Sequence, residues 1–157
     1  MKRVYLAGPD VFFKDPVAIG ERLKGLCAAY GLEGVFPLDA AVDTTLSPRK
    51  VATQIFEGNR NLIDSCDGVL AHLVPFRGPS ADVGTVWELG YALGRGKKVA
   101  GYTGNLNLYH DKARGLDEHM VESFELFDNL MVACSCRTYF NPQAALTDLA
   151  AQLRGEA

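Results

Sequence analysis

Two carboxylates, Asp82 and Glu88, lie where an apolar run ends and a helical pattern begins. Residues 82–91 read DVGTVWELGY, and the apolar run at residues 68–74 has the length of a buried strand. Open α/β folds bind small molecules beyond the carboxyl ends of their parallel strands. A carboxylate in that place could serve as a base, a nucleophile or a metal ligand, so this segment is a candidate site.

A purely structural role for Glu88 competes with a chemical one. Thr85 and Glu88 have the spacing of a capping box, in which each side chain satisfies a free backbone N–H at the start of a helix. The same helix start favours the ionised form of a nearby carboxylate, and a nucleophile must be ionised. Capping explains neither Asp82 nor the polar residues at other strand ends, so this window leaves both roles of Glu88 open.

Strand and helix patterns alternate along the whole chain. We predict strands at residues 3–7, 34–36, 68–74, 98–102 and 137–140. We predict helices at residues 16–30, from residue 48 toward the third strand, from the Glu88 segment to residue 96, and at residues 121–131 and 142–154. The second helix is expected to turn Val51, Ile55, Leu62 and Ile63 toward the core. The alternation predicts an α/β fold, a flavodoxin-like three-layer sandwich with a mostly parallel five-stranded sheet.

Length and composition limit the possible functions. A chain of 157 residues with 48% hydrophobic and 22% charged residues is expected to form one globular domain, residues 1–157. A net charge of -3 argues against a general affinity for nucleic acid. No apolar run reaches membrane-spanning length and the N-terminus lacks the apolar core of a signal peptide, so we expect a cytoplasmic protein.

Several common chemistries lack their motifs in this chain. No G-x-x-x-x-G-K-[ST] loop or G-x-S-x-G elbow occurs, which excludes a P-loop nucleoside triphosphatase and weakens a serine hydrolase. Gly8 lacks the other glycines of a dinucleotide fingerprint. His72, His110 and His119 fall in no metal-ligand pattern, so neither a metal nor another cofactor is expected. A reaction centred on a carboxylate remains.

The order and spacing of three motifs resemble the nucleoside 2-deoxyribosyltransferase family. They are Tyr5 in the opening strand VYLAGP, Asp82 with Glu88 in D-x-G-x-x-x-E-x-G, and Asn129 in NLM near the C-terminus. The resemblance extends from residue 2 to about residue 131, and the segment from residue 55 to 102 looks like the purine-type branch. It implies transfer of 2-deoxyribose between nucleobases in purine nucleoside salvage, with nucleosides and free nucleobases as substrates.

The resemblance assigns the two central roles. Cleavage of a sugar–base bond passes through a transition state with positive charge spread over C1′ and the ring oxygen. Glu88 would stabilise that charge and capture the sugar covalently, so that two displacements retain the anomeric configuration. Tyr5 would hydrogen-bond Glu88 and orient it, although an aromatic core residue is the structural alternative.

Sugar-binding residues also follow from the resemblance. Asp82 would hold the 5′-hydroxyl, which favours free nucleosides because a carboxylate repels a phosphate dianion. Asn129 would reach the 5′-hydroxyl in a neighbouring subunit's site, implying a homo-oligomer, either a dimer or a hexamer. A solvated loop aspartate and an asparagine near a helix cap are the structural alternatives.

The sequence says less about which residues contact the base. Gly8, in the turn after the first strand, could contact substrate. Phe12 or Phe13 beyond it could stack on the base, with an ordinary aromatic core residue as the structural alternative. Asp39 could accept a hydrogen bond from the base or donate a proton to it, or could be an ordinary turn aspartate. Where some family members carry an aspartate proposed to protonate the base, this chain has Asn59. The general acid is therefore unassigned, with Asp39 or water as candidates.

Two other functions remain in competition. A nucleoside 5′-monophosphate N-glycosidase would use the same glutamate and give the sugar to water; a phosphate contact by Arg77 would favour it and Asp82 speaks against it. A non-catalytic nucleotide-sensing module could use the same fold.

Overall fold

A single parallel sheet organises the chain in this computed structural model, which describes residues 1–156. Its strands are β1 (Lys2–Ala7), β2 (Leu32–Val35), β3 (Gly68–His72), β4 (Lys98–Tyr102) and β5 (Thr138–Tyr139). The order across the sheet is β2-β1-β3-β4-β5, and each neighbouring pair is parallel. This confirms the predicted five-stranded α/β fold, whose sheet proves parallel throughout.

Helices cover both faces of the sheet. They are α1 (Pro16–Ala29), α2 (Pro48–Ser65), α3 (Val83–Gly94), α4 (Tyr109–Ala113), α5 (Leu130–Ala133) and α6 (Pro142–Arg154), with 3₁₀ turns at Pro9–Phe12 and Pro37–Asp39. Helices α1 and α6 pack on one face, and α2 and α3 pack on the other. Such double coverage explains why β3 is apolar from Gly68 to Ala71.

Alternation along β1 sends successive side chains to opposite faces. Val4 and Leu6 belong to the core beneath α1 and α6, whereas Tyr5 belongs to the core beneath α2 and α3. The Tyr5 side chain is therefore on the same side of the sheet as the helix that carries Glu88. This placement is a direct consequence of the two-residue period of a strand.

Helix ends follow the local signals in the sequence. Asp15 caps α1 by accepting a hydrogen bond from the N–H of Ala18 at 3.1 Å, and Asn141 caps α6 in the same way through Ala144 at 2.9 Å. Gly155 ends α6 with φ of 77°, a left-handed conformation that suits glycine. The predicted bounds of α6 and β4 match the structure to the residue.

One predicted helix is wrong. Of residues 121–131, which the pattern indicated as helical, the structure makes helical only the part that belongs to α5, Leu130–Ala133. Asp128 and Asn129 use their side chains to accept nearby backbone N–H groups, which competes with helical hydrogen bonding. Glu125 adopts φ of 58°, which no helix accommodates. The preceding segment, expected as loop, contains the short helix α4.

A crevice forms where the strand order reverses. β1 has β2 on one side and β3 on the other, so the chain leaving β1 and the chain leaving β3 turn toward opposite edges of the sheet. Ligands of doubly wound sheets bind at the carboxyl ends of strands at such a point. Within residues 1–156, no helix is long and apolar enough to cross a membrane.

Candidate active site

A cavity of about 570 Å³ opens at this crevice. Its walls come from the turn after β1, the segment after β2, the middle of α2 and the start of α3. The lining residues are Gly8, Val11, Phe12, Pro37, Leu38, Ala40, Val42, Ile55, Asn59, Asp82, Gly84, Thr85 and Glu88. Among the predicted site residues, Gly8, Phe12, Asp82 and Glu88 thus share one cavity.

The Glu88 carboxylate is held by two donors on one of its oxygens. The fully buried Tyr5 hydroxyl donates to Glu88 Oε1 at 2.7 Å, and Asn59 Nδ2 donates to the same oxygen at 3.4 Å. Oε2 accepts no hydrogen bond from any group in residues 1–156. One oxygen is therefore fixed in place while the other is available to a ligand in the cavity.

Burial dominates the electrostatics of Glu88. Removal from water, reinforced by the negative charge of Asp82, raises the pKa of Glu88 to about 7, against the hydrogen bonds from Tyr5 and Asn59, which lower it. Burial also raises the pKa of Tyr5, as does the nearby Glu88 carboxylate. Tyr5 therefore keeps its proton and acts as a donor, while Glu88 is divided between its charged and neutral forms near neutral pH.

Asp82, not Thr85, is the N-cap of α3. Its Oδ2 accepts hydrogen bonds from the N–H of Thr85 at 2.9 Å and from Thr85 Oγ1 at 3.1 Å. The capping box of Thr85 with Glu88 is therefore wrong, because the helix begins earlier, at Val83. This start moves Glu88 into the second turn, on the same inward face as Thr85 and Leu89, and frees its carboxylate for the cavity.

The cavity floor requires glycine at position 8. A Cβ there would overlap Asp10 Oδ2 and lie 2.9 Å from His72 Cβ, so any side chain would displace both. Asp10 is itself buried and pairs with His72 Nδ1 at 2.9 Å. This pair ties the turn after β1, which carries Val11 and Phe12, to the end of β3.

Aromatic rings form one rim of the cavity. Phe12 is 58% exposed and stacks on Phe76 with ring centroids 5.5 Å apart. Arg77 places its guanidinium 5.0 Å from the Phe12 ring centroid and 4.8 Å from that of Phe76. Arg77 thus anchors the loop after β3 to the aromatic rim and does not line the cavity itself.

Asp39 and Asn129 lie outside the cavity lining. Asp39 accepts from Lys24 Nζ at 2.6 Å and from the N–H of Phe36 at 2.8 Å, so both of its oxygens are engaged. Asn129 caps α5 through the N–H of Met131 and donates to Glu122 Oε1 at 3.0 Å. The structure does not bring either residue to this chain's own cavity, and their contacts with substrate stay predictions.

The sequence analysis missed Asp128. Its fully buried carboxylate accepts from the Ser80 hydroxyl, from the N–H of Ala81 at 2.8 Å and from the N–H of Asn129 at 2.7 Å. Asp128 thereby joins the loop that ends in Asp82 to the segment that carries Asn129. The available signal was an acid between Phe127 and Asn129 in the largely apolar stretch FELFDNLM, although Glu125 lies in the same stretch.

Replacing Asp128 by alanine is expected to destabilise the protein strongly. The N–H groups of Ala81 and Asn129 would lose their acceptor, and unpaired buried groups cost about 1–3 kcal/mol each. We expect the free energy of unfolding in urea to fall by roughly 3 kcal/mol. The exposed Asp111, changed to alanine, is the control and should lose no more than about 0.5 kcal/mol. Equal losses in the two variants would show that the Asp128 contacts add no stability.

The remaining cavity residues offer little to a metal. Among residues 1–156, no group of three or more His, Cys, Asp or Glu side chains is arranged to hold a metal ion. The cavity carboxylates are Asp82 and Glu88, and Oδ2 of Asp82 is already engaged by Thr85. The arrangement suits a nucleophilic or electrostatic role for Glu88.

Comparison with known proteins identifies the family of the chain. The family described as nucleoside 2-deoxyribosyltransferase matches residues 4–131. A 2-deoxyribosyltransferase from Leishmania mexicana is similar over 96% of this chain and 97% of its own, with 29% identity and a TM-score of 0.81. A 2-deoxyribosyltransferase from Bacillus psychrosaccharolyticus shares the fold, with 18% identity, a TM-score of 0.63, and coverage of 96% of this chain and 95% of its own.

A curated relative extends the comparison. An uncharacterized protein of Schizosaccharomyces pombe is 39% identical over 114 residues, which are 71% of this chain. The chain spans about half, 54%, of the length of that relative. Because the family match covers Tyr5, Asp82, Glu88 and Asn129 within residues 4–131, the chain belongs to the nucleoside 2-deoxyribosyltransferase family.

Proposed function

We infer that this protein transfers 2-deoxyribose from one nucleobase to another through a covalent intermediate on Glu88. One observation carries the inference: the Tyr5 hydroxyl fixes Glu88 Oε1 at 2.7 Å inside a ligand-sized cavity and leaves Oε2 open. An oriented carboxylate with a free oxygen is the group that captures an oxocarbenium-like sugar. Family membership and the Leishmania mexicana relative support the same chemistry. Salvage of purine nucleosides is the proposed physiological role.

The reaction divides into two displacements. In the first, the C1′–N bond of the donor nucleoside breaks, Glu88 Oε2 bonds to C1′, and the departing base takes a proton from water. In the second, a nitrogen of the acceptor base attacks C1′, the ester bond breaks, and its electron pair returns to Glu88. The acceptor releases its N–H proton to water, and the two inversions retain the configuration at C1′.

Water is the proposed proton source for the departing base. The acids that line the cavity are Asp82 and Glu88, the latter being the nucleophile. Asn59, which lies at the position discussed above for a family aspartate, donates a hydrogen bond to Glu88 and has no acidic proton to give. Asp39 is engaged by Lys24 and the Phe36 N–H outside the cavity lining, which favours water over Asp39.

Asp82 is proposed to select free nucleosides. Its Oδ2 caps α3, and its Oδ1 accepts no hydrogen bond within residues 1–156, so Oδ1 can accept one from the 5′-hydroxyl. A 5′-phosphate in the same place would bring two negative charges against the carboxylate. This repulsion is the main argument against the nucleoside 5′-monophosphate N-glycosidase, and the engagement of Arg77 by two aromatic rings removes the support that Arg77 offered it.

Asn129 is proposed to act in a neighbouring subunit of a homo-oligomer. It sits beside an exposed apolar surface, where Met131 is 74% exposed and Leu130 and Leu93 are also exposed. An apolar groove lined by α3 and α5 continues this surface. Association through it would bury apolar area and bring Asn129 toward a second chain. A dimer or a hexamer would satisfy this arrangement.

Exchange with a purine acceptor tests the proposed reaction. Incubation with 2′-deoxyinosine and adenine should yield 2′-deoxyadenosine and hypoxanthine. Mass spectrometry after incubation with a 2-fluoro arabinosyl nucleoside should find the sugar attached to Glu88. Hydrolysis of a nucleoside monophosphate without exchange would favour the glycosidase. Stabilisation by nucleotides in a thermal shift, with no turnover of any substrate, would favour the sensing module.

Asp82→Asn is expected to separate sugar recognition from folding. Asparagine is also a good N-cap, so α3 should be retained. Loss of a charged hydrogen bond to the 5′-hydroxyl should lower kcat/KM for 2′-deoxyinosine by roughly 10- to 100-fold. A 2′,5′-dideoxyinosine donor, which lacks that hydroxyl, should show a much smaller loss in initial-rate assays. Equal losses for both donors would contradict the contact between Asp82 and the 5′-hydroxyl.

A further inference from the structure

Few side chains of the cavity are polar enough to recognise a sugar. They are Asn59, Asp82, Thr85 and Glu88, and the rest of the lining is apolar. The apolar part includes Ile55, which was predicted to face the core but is 43% exposed and lines the cavity. Such cavities orient a ligand through a small number of precisely placed polar groups. Recognition of the 5′-hydroxyl therefore depends on how accurately Asp82 is held.

Asp82 follows a loop that folds back on itself after β3. Pro75 and Ala81 form an antiparallel bridge, and the N–H of Phe76 donates to the Ser80 carbonyl at 3.0 Å. The loop thus has an outgoing arm and a returning arm, and the returning arm is Ser80 with Ala81. Because Asp82 comes directly after this arm, the position of the arm sets the position from which the Asp82 side chain enters the cavity.

The buried carboxylate of Asp128 holds the returning arm. Its Oδ1 accepts from the Ser80 hydroxyl, and its Oδ2 accepts from the N–H of Ala81 at 2.8 Å. Oδ1 also accepts from the N–H of Asn129 at 2.7 Å. Two of the three donors to Asp128 therefore belong to the arm that ends at Asp82.

The segment that carries Asp128 is itself fixed to α4. The N–H of Tyr109 donates to the Leu126 carbonyl at 2.7 Å, and Lys112 Nζ donates to the Phe127 carbonyl at 2.5 Å. These two bonds hold the backbone immediately before Asp128. The carboxylate is therefore a fixed point against which the returning arm is placed.

The surroundings of Asp128 are suited to positioning. The side chain is 1% exposed, and among residues 1–156 it forms no salt bridge with a Lys, Arg or His side chain. A carboxylate buried without a cationic partner is costly unless hydrogen bonds satisfy it. The three donors to Asp128 do so, and a buried network whose members are all satisfied makes the segments that it joins rigid.

We propose that Asp128 is a positioning residue for sugar recognition, which holds the returning arm so that Asp82 Oδ1 meets the 5′-hydroxyl of the bound nucleoside. The inference rests on the proposed function, in which Asp82 binds that hydroxyl. Asp128 does not line the cavity and takes no part in the bonds that form and break. Loss of its contacts should therefore weaken recognition of the 5′-hydroxyl and leave the chemistry at Glu88 unchanged.

The test compares two donors in Asp128→Asn. Asparagine has nearly the same volume, but its amide nitrogen accepts no hydrogen bond, so the N–H of Ala81 or of Asn129 loses its acceptor. With adenine as acceptor, kcat/KM for 2′-deoxyinosine should fall roughly tenfold, and that for 2′,5′-dideoxyinosine by no more than about twofold. The same change at the exposed Asp111 should alter neither value.

Two results would overturn the inference and leave the proposed function standing. They are equal losses for the two donors in Asp128→Asn, which a merely structural role would give, and no loss for either donor. Absence of exchange by the wild type with 2′-deoxyinosine and adenine would overturn both the inference and the proposed function.

A double-mutant cycle with 2′-deoxyinosine tests whether Asp128 acts through Asp82. Once Asp82→Asn has removed the contact with the 5′-hydroxyl, adding Asp128→Asn should lower kcat/KM by no more than about twofold further. Losses that multiply would show that Asp128 acts independently of Asp82, and so overturn the inference.

Ser80→Ala repeats the comparison in a protein that keeps the Asp128 carboxylate, and it decides the matter where Asp128→Asn does not fold. It removes one donor from the returning arm, so the ratio of kcat/KM for 2′-deoxyinosine to that for 2′,5′-dideoxyinosine should fall roughly threefold. Ser80→Thr keeps the hydroxyl and should restore the wild-type ratio. A ratio that Ser80→Ala does not change overturns the inference.

Discussion

Glu88→Gln is expected to abolish exchange while the fold stays intact. Glutamine keeps the shape of the side chain, and its carbonyl oxygen can still accept the hydrogen bond that Tyr5 donates at 2.7 Å to Glu88. An amide oxygen carries no charge with which to stabilise or capture the sugar. The rate of exchange should therefore fall by roughly 10⁴-fold or more. Initial rates with 2′-deoxyinosine and adenine measure it, and trapping should leave the variant unlabelled.

Glu57→Gln is the matched control for this loss. Glu57 is exposed on α2 and takes no part in the cavity, so the same chemical change there should leave the rate and the unfolding transition unaltered. Exchange at an undiminished rate in Glu88→Gln would reduce Glu88 to a structural residue and remove the basis of the covalent mechanism.

Local signals in the sequence were enough to predict most of the fold. The apolar runs identified the three central strands, β1, β3 and β4, because strands covered on both faces are largely apolar. Pro16 with the N-cap Asp15 located the start of α1, because these residues act on their own backbone. The wrong prediction of a helix at residues 121–131 also has a local cause. Aspartate and asparagine side chains there accept backbone N–H groups, and one residue adopts a left-handed conformation. Side-chain competition of that kind leaves no trace in hydrophobic periodicity.

Only part of the candidate site could be predicted from the sequence. Glu88, Asp82, Gly8 and Phe12 follow strand ends, and strand ends of a parallel sheet converge whatever the detailed packing. Their roles in catalysis and binding stay predictions. The hydrogen bond from Lys24 to Asp39 could not be predicted from the sequence, because it depends on where α1 packs relative to the turn after β2.

The Asn59 contact and the buried Asp128 depend on tertiary structure in the same way. Asn59 meets Glu88 only because α2 and α3 pack side by side on one face of the sheet. Asp128 reaches the N–H of Ala81, 47 positions earlier, across the top of the sheet. Neither distance is encoded in local pattern, so a single sequence shows the residue types of the site without showing which of them meet.

The rate of exchange is expected to fall in acid with a midpoint near pH 7. Burial and the charge of Asp82 raise the pKa of Glu88 to about 7, and only the ionised form can attack. Because kcat/KM reports the free enzyme, it should drop about tenfold per pH unit on the acid side, to roughly one-hundredth at pH 5. Measuring kcat/KM from pH 5 to 9 in buffers of constant ionic strength checks this. A flat profile would contradict a buried carboxylate nucleophile.

Two variants should move this midpoint in opposite directions. Tyr5→Phe removes a hydrogen bond that lowers the pKa of Glu88, so the acid limb should move to higher pH. Asp82→Asn removes a negative charge that raises the pKa, so the limb should move to lower pH. Shifts in the same direction would show that the limb does not report Glu88.

Ionisation of Glu88, which activates the enzyme, should lower the stability of the fold. Because its pKa is raised from 4.5 to about 7 in the folded protein, Glu88 contributes stability that is fully present below about pH 4.5 and lost as the pH rises through 7. Glutamine at this position has no charge to bury, so Glu88→Gln should gain stability over the wild type between pH 5 and pH 8. Melting temperatures of the variant and the wild type at pH 5 and at pH 8 measure this gain. A buried carboxylate that acts as the nucleophile should be both essential for exchange and destabilising when it is ionised. A gain in stability from Glu88→Gln that does not grow with pH would contradict this expectation.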